Sequence, residues 1–272
     1  MPKADTNGIQ LHYQIHGQGH PLLLIAGVGY GAWFWEKIIP GLADHYRVIA
    51  FDNRGAGESD KPEGPYTVSM MAEDTIGLLE TLDIEDLYLL GHSLGGFIAQ
   101  EVAVQRPDLV SKLILASTNY GGTKVIPITP EALEVLTSRE GDPVDLVQRG
   151  IEISTAPGFV EREPEVVKEL TNYRFSNPVP PPQYQAQVTA GAGMAALTDE
   201  QVDKRMSGIQ DPVLILFGAH DRVVPPGNAE LMAEKIPDAE IKILPQAGHI
   251  FPIEKPTETI QAVHSFLSSR SS

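Results

Sequence analysis

Short apolar runs rich in Val, Ile and Leu recur along the chain and alternate with stretches in which apolar side chains return every three or four positions. Runs of the first kind are what parallel strands look like when both faces are covered. They predict strands at 9–15, 21–26, 47–51, 87–90, 112–116, 213–217 and 240–244. The second kind predicts helices at 33–42, 69–82, 94–105, 228–235 and 257–267, with Pro107, Pro237 and Pro256 at or near helix ends. Strand followed by helix, repeated, implies an α/β protein with a doubly wound, mostly parallel sheet.

The alternation stops between about residues 121 and 210. Helical patterns occur there at 130–139, 144–153 and 164–175, with Leu133, Leu136, Leu146, Val147, Ile151, Val166, Val167 and Leu170 at helical spacing. The run Asn177-Pro178-Val179-Pro180-Pro181-Pro182 and a loose Ala190-Gly191-Ala192-Gly193-Met194-Ala195 follow, and no strand of sheet quality interrupts. The pattern predicts a core formed by 1–120 and 211–272, with 121–210 inserted as a small helical lid whose proline run is a stiff, extended connector. A disordered linker fits the helical spacing less well.

The chemistry is concentrated where predicted strands end. Gly91-His92-Ser93-Leu94-Gly95-Gly96 lies directly after the strand 87–90 and opens the helix 94–105. A Gly-x-Ser-x-Gly in this context is a sharp strand-to-helix reversal: the serine is strained, the glycines remove collisions, and the hydroxyl is presented at the top of the sheet. The serine would also cap the helix, whose positive end favours nearby negative charge. A serine hydroxyl needs a base, and the base needs an orienting acid, in the order Ser, Asp or Glu, His. Asp221, just past the strand 213–217, and His249, after the strand 240–244 and 28 residues beyond Asp221, fit that order. The loop after 112–116 offers Ser117-Thr118-Asn119 and no acid. His220 and His92 adjoin the acid and the nucleophile in sequence, and the other histidines fall on strands, their flanks or the last helix. Oxyanion donors are expected from the N–H of Leu94 at the helix start and that of Val28 in the glycine-rich Ala26-Gly27-Val28-Gly29-Tyr30-Gly31. Without a Gly-Lys-Ser/Thr ending, this loop is a poor phosphate cradle. Gly27, Gly29, His92 and Met194 are expected to line the substrate pocket.

Charge narrows the partners. The 20 basic and 36 acidic residues give a net charge of −16, a field that repels nucleic acids and anionic membranes. The absence of cysteine excludes disulfides, thiolate metal sites and a cysteine nucleophile. With no signal-like segment and no run long enough to span a bilayer, the protein is expected to be cytoplasmic, as a monomer or small homo-oligomer.

The elbow at 91–96 and Phe51-Asp52-Asn53-Arg54-Gly55-Ala56-Gly57-Glu58-Ser59, which is similar to an Asp-x-Arg-Gly-x-Gly-x-Ser turn, resemble the α/β-hydrolase fold family over residues 8–120 and 211–268. In that family the turn is structural, so Asp52 and Arg54 receive no catalytic role. The family usually shows His-Gly at the oxyanion loop, where this chain has Ala26-Gly27. Dehalogenases and epoxide hydrolases of this fold carry an aspartate where Ser93 stands. Carbon–carbon bond hydrolases commonly carry a Trp shortly after the histidine, where this chain has Ile250-Phe251. The resemblance implies a carboxylesterase working through an acyl-enzyme on Ser93, with Asp221 and His249 completing the triad, no metal and no cofactor. An alternative is an enzyme like 3-oxoadipate enol-lactonase, with Arg149, Arg162 or Arg174 holding a substrate carboxylate rather than serving as solvated helix charges. A third reading is a slow-turnover ligand receptor on the same fold. The acidic surface favours a neutral, modest-sized acyl group.

Overall fold

The computed structural model describes residues 2–138 and 140–269. Met1, the expected helix end at Arg139 and the last three residues of the expected core lie outside the described residues.

The chain begins with a hairpin, β1 (Lys3–Thr6) against β2 (Ile9–His16), joined by Asn7 and Gly8 at φ 44° and 76°. Both turn residues have positive φ, as a tight two-residue hairpin turn requires, and Asn-Gly is the pair that tolerates it best. β1 was not among the expected strands: only Ala4 and Thr6 turn inward, too few for a hydrophobic pattern. The next elements are β3 (Pro21–Ile25), a 3-10 turn (Ala32–Trp35), α1 (Ile39–Ala43), β4 (Arg47–Phe51), α2 (Val68–Thr81), β5 (Leu87–His92), α3 (Leu94–Gln105) and β6 (Val110–Ala116). The single helix expected at 33–42 is therefore a 3-10 turn and a separate short helix. Pro40 is the reason, because it cannot donate an N–H to a preceding turn and its ring crowds the carbonyl four residues back.

Six helices among the described residues follow β6: α4 (Pro130–Thr137), α5 (Pro143–Ser154), α6 (Phe159–Arg162), α7 (Pro164–Ser176), α8 (Pro181–Gly193) and α9 (Asp199–Ser207). The proline run is only partly a connector, since Pro181 and Pro182 form the first turn of α8, where a missing N–H is harmless. The stretch expected to be loose at 190–195 is the end of α8 and a 3-10 turn at Met194–Ala196. Thr198 and Gln201 form a reciprocal capping box that starts α9. The chain then completes the core with β7 (Val213–Gly218), α10 (Asn228–Ala233), β8 (Glu240–Leu244), α11 (Phe251–Glu254) and α12 (Pro256–Ser268).

The strands form one sheet in the order β1-β2-β4-β3-β5-β6-β7-β8, antiparallel at β1/β2 and β2/β4 and parallel elsewhere. Period-two alternation splits the core between two faces. Leu23 and Ile25 of β3 pack with α2 and α3 residues, whereas Leu22 and Leu24 pack with α1 and α12 residues. No helix among the described residues is long and apolar enough to cross a membrane.

Beyond the carboxyl end of β4, Asp52 ties together the turns that frame the sheet edge. Its Oδ1 accepts the Ala32 N–H at 2.7 Å, and its Oδ2 accepts the Glu58 N–H and faces His12 Nδ1, both at 2.9 Å. Asn53 Nδ2 donates to the Ala26 carbonyl at 3.0 Å, and Arg54 forms a buried two-point ion pair with Asp74. Asp52→Asn turns an NH2 toward groups that donate, so it should lower stability by about 2–3 kcal/mol. Equilibrium urea unfolding measures this, and an unchanged midpoint and slope would refute the bracing role.

Candidate active site

β5 ends at His92 and α3 begins at Leu94, so a single residue makes the reversal. That residue is Ser93, at φ 55° and ψ −119°. Ser93 N–H continues the strand pairing to the Ala116 carbonyl at 2.9 Å, while its own carbonyl accepts from Gly96 N–H and Thr118 Oγ1. The backbone is thereby held in the left-handed region, which a side chain avoids unless its surroundings enforce it. Glycine is required on both sides because the helix start lies against the neighbouring strand. A Cβ at Gly95 would stand 2.1 Å from the Ile25 carbonyl oxygen, and one at Gly91 would stand 2.2 Å from that of Gly95. Ser93 occupies the N-cap position as expected, yet its side chain makes no capping bond. The hydroxyl instead faces a cavity of about 340 Å³ lined also by Gly27, Val28, Leu94 and His249.

His249 lies in the loop after β8, with Nδ1 2.8 Å from Oδ2 of Asp221. The other carboxylate oxygen, Oδ1, accepts the N–H groups of Val223 and Val224 at 2.9 and 2.8 Å, which fixes the acid's rotamer. Both residues are buried. A buried carboxylate on Nδ1 sets the tautomer that leaves Nε2 as a proton acceptor. The structure thus brings Ser93 and His249 to one cavity and Asp221 behind the histidine.

The loop after β3 is held by bonds that leave the Val28 N–H without a partner among the described residues. Tyr30 N–H turns back to the Gly27 carbonyl, Gly29 N–H donates to Gln187 Oε1 at 2.8 Å, and the Gly29 carbonyl accepts from Arg174 Nη1 at 2.8 Å. Leu94 is the first residue of α3, so its N–H has no partner within the helix.

Other expected residues are placed differently. Gly29 lines a second cavity, of about 320 Å³, rather than the one at Ser93. Met194 is expected to line the pocket, but it packs into the hydrophobic core in one cluster with Val202 and Met206 of α9, because α8 continues through the stretch that looked loose. His92 reaches the cavity edge but works behind it: its Nε2 lies 2.8 Å from the His249 carbonyl, which can only accept, so Nε2 carries the proton. Burial, and then the neighbouring His249, push His92 well below the usual histidine range, so the ring is neutral.

Arg149 and Arg162 are exposed, and Arg162 bonds the Pro157 carbonyl. Arg174 lines both cavities, with its guanidinium carbon 3.9 Å from the centre of the Tyr30 ring. Unlike Arg54, Arg106, Arg205 and Arg222, it is paired with no carboxylate among the described residues. Sequence reasoning missed Gln187, whose buried amide gave no local signal. It also missed Glu254, an acid behind the apolar run Ile250-Phe251-Pro252-Ile253. Among the described residues no group of three or more His, Asp or Glu side chains could hold a metal ion.

The model of the alpha/beta hydrolase fold matches residues 20–256, and the chain belongs to that family. Among its relatives, 3-oxoadipate enol-lactonase 2 of Acinetobacter baylyi is 28% identical over 261 residues, covering 95% of this chain and 93% of that protein. The crystal structure of the enol-lactonase from Burkholderia xenovorans superposes with a TM-score of 0.82 at 27% identity, covering 98% and 100% of the two chains. A thermophilic esterase from Thermogutta terrifontis, with malate bound, gives a TM-score of 0.80 at 30% identity, covering 98% and 97%.

The elbow is also the tightest packing point. Gly95→Ala should cost about 3 kcal/mol or more, because the new methyl meets backbone rather than a movable side chain. Thermal melting tests this; a variant that melts with the wild type would show that α3 can retreat from β3.

Proposed function

We propose that the protein is a serine hydrolase cleaving carboxylic esters through an acyl-enzyme on Ser93. The observation that carries this is Ser93, strained at the elbow, sharing one cavity with a histidine whose Nδ1 is held by Asp221. In this reading Ser93 Oγ attacks the ester carbonyl while His249 Nε2 takes the hydroxyl proton. The oxyanion that forms is met by the N–H groups of Val28 and Leu94, preorganised donors worth about 3 kcal/mol each. As the tetrahedral intermediate collapses, the C–O bond to the leaving alcohol breaks and His249 returns the proton to that oxygen. Water, deprotonated by the same histidine, then attacks the acyl-enzyme and releases the acid. Asp221 holds the imidazole and stabilises the imidazolium formed in each half. The helical segment 121–210 acts as the lid, because Leu133 and Leu136 of α4 and Val188 and Ala192 of α8 line the cavity. The partner is a small ester or lactone.

One observation favours a second reading, hydrolysis of an enol-lactone bearing a carboxylate. Arg174 is the cation at the cavity wall and lacks a carboxylate partner among the described residues, which suits an anionic substrate despite the acidic surface.

Ser93→Ala should lower kcat on a simple aryl ester roughly 10⁴-fold while substrate binding persists. Multiple turnover by the wild type separates the enzyme from a slow receptor. A folded variant with more than a tenth of wild-type activity would overturn the assignment of the nucleophile. Asp221→Asn should keep fold and KM but reduce kcat by orders of magnitude, since an amide cannot stabilise the imidazolium; a variant close to wild type would send the search to another acid. Comparing kcat/KM for neutral esters and a dicarboxylate lactone, in wild type and Arg174→Met, decides between the two substrates. A preference for the anionic lactone that disappears in the variant would replace the ester reading with the lactone one.

A further inference from the structure

Glu254 is a half-buried acid that the proposed chemistry does not use. It closes the short helix α11, and its two oxygens bond different parts of the chain. Oε1 accepts the N–H of Gly248, the residue before His249, at 2.8 Å, and Oε2 accepts the N–H of Ala156, just beyond α5, at 2.7 Å. Two more contacts join the same two segments, and a third ties the loop of Asp221 to the end of α5. Ile250 N–H donates to the Ser154 carbonyl at 3.1 Å. Gly248 lies so close that a Cβ there would stand 2.6 Å from the Thr155 carbonyl carbon. Arg222, next to Asp221, donates to the carbonyls of Glu152 and Thr155. The His249 loop is therefore seated on the end of α5, and Ser154 at that end lines the cavity of Ser93.

We propose that Glu254 is a positioning residue for His249, clamping the Gly248 peptide to the Ala156 peptide so that the imidazole is set from the end of α5. The inference rests on the serine-hydrolase reading. A carboxylate can accept both N–H groups at once. An amide turns an NH2 toward one of them and loses that bond, and a protonated carboxyl offers one of them only a hydroxyl oxygen, a much weaker acceptor than a carboxylate oxygen.

The groups facing Glu254 are Asp221 and His249, with Arg222 on the adjoining carbonyls, and among the described residues no cation forms a salt bridge with it. Burial pushes its pKa from the usual 4.5 up to about 7, opposed by the two N–H bonds and by His249 and reinforced by Asp221. Two opposite pH dependences follow. Between the usual value and about 7 the folded protein keeps a proton that the unfolded chain has released, so this group's contribution to stability falls as pH rises through that window. The two-oxygen clamp, in contrast, is complete only above about 7, so its contribution to turnover rises.

The test is steady-state hydrolysis of an aryl ester from pH 5 to 9 by wild type, Glu254→Gln and Glu254→Asp. Thermal melting over the same range and the rate of Ser93 labelling by a fluorophosphonate accompany it. At pH 8, Glu254→Gln should show kcat and labelling rate lowered roughly 10- to 100-fold with KM within about twofold, as expected when a reacting group is misplaced by a fraction of an ångström to an ångström. The deficit should shrink toward pH 6, where the wild-type carboxyl is itself protonated, and the fall in melting temperature between pH 5 and 7 should be flatter in the variant. Glu254→Asp keeps the charge but is too short to reach both peptides, so it should lose turnover and keep a pH-dependent melting curve; it also serves as the test if the glutamine variant does not fold. Wild-type kcat at pH 8 in either folded variant, or a deficit in Glu254→Gln that is constant with pH, would overturn the proposal while leaving the hydrolase reading intact. A wild-type protein that neither turns over nor labels would remove both.

Discussion

The approach of the first turn of α3 to the ends of β3 and β5 is the constraint on which the site depends. Backbone meets backbone there without side chains between, so the chain can pass from strand to helix in one residue, and that residue must be in the left-handed region. The strain at Ser93 is maintained by ordinary contacts: strand pairing to Ala116 on one side and Gly96 and Thr118 on the other. Such a conformation costs on the order of 1–3 kcal/mol, which a well-packed parallel sheet can offset. The same geometry keeps the hydroxyl from capping its own helix and leaves the Leu94 N–H beside it.

A second tier of polar bonds holds the loops around that point. Asp52 and Asn53 brace the loop after β3 from the core side, and Gln187 and Arg174 brace it from the helices that follow β6. Each is a buried or half-buried group that bonds main-chain atoms of this stretch, so each fixes its shape. His92 belongs to this tier. It is neutral, and it bonds the main chain of His249 from beneath. The one charged group at the cavity wall with no carboxylate partner among the described residues is Arg174, which is why the choice between the two proposed substrates turns on it.

Much of this arrangement was legible in the sequence because strand-to-helix reversals and parallel strands leave strong local marks. The runs at β3 through β8, the helix opening at Leu94 and the Ser, Asp, His order could all be read residue by residue. Elements defined by partners distant in the chain could not. β1 is stable only because β2 lies beside it, and its one local mark was Asn7-Gly8. Gly191 and Gly193 looked loose, but α8 continues through them because its Ala186 and Ala190 pack into the core. Pro40 broke a helix whose apolar spacing read as continuous. Gln187 and Glu254 act on main-chain atoms far away in sequence, and no pattern of neighbours marks such a role.

The amide of Gln187 also bears on how the molecule can be taken apart. From α8 it accepts the Gly29 N–H and donates to the Arg54 carbonyl at 2.9 Å, and it is 1% exposed. Farther along, Met194, Val202 and Met206 are packed into the same hydrophobic cluster as Ile98 and Val102 of α3. In space, then, α8 and α9 are built into the core on the α3 side of the sheet, and Ile151, Phe159, Val167 and Leu170 of α5 to α7 are built into the core on the other side. Recombination that swapped the stretch between β6 and β7 as a single cassette would remove part of the core. A smaller exchange, ending before Pro181, would spare Gln187 but would still take away the end of α5 on which the His249 loop is seated and the Arg174 bond to Gly29, so no cut between β6 and β7 separates the chamber from its supports.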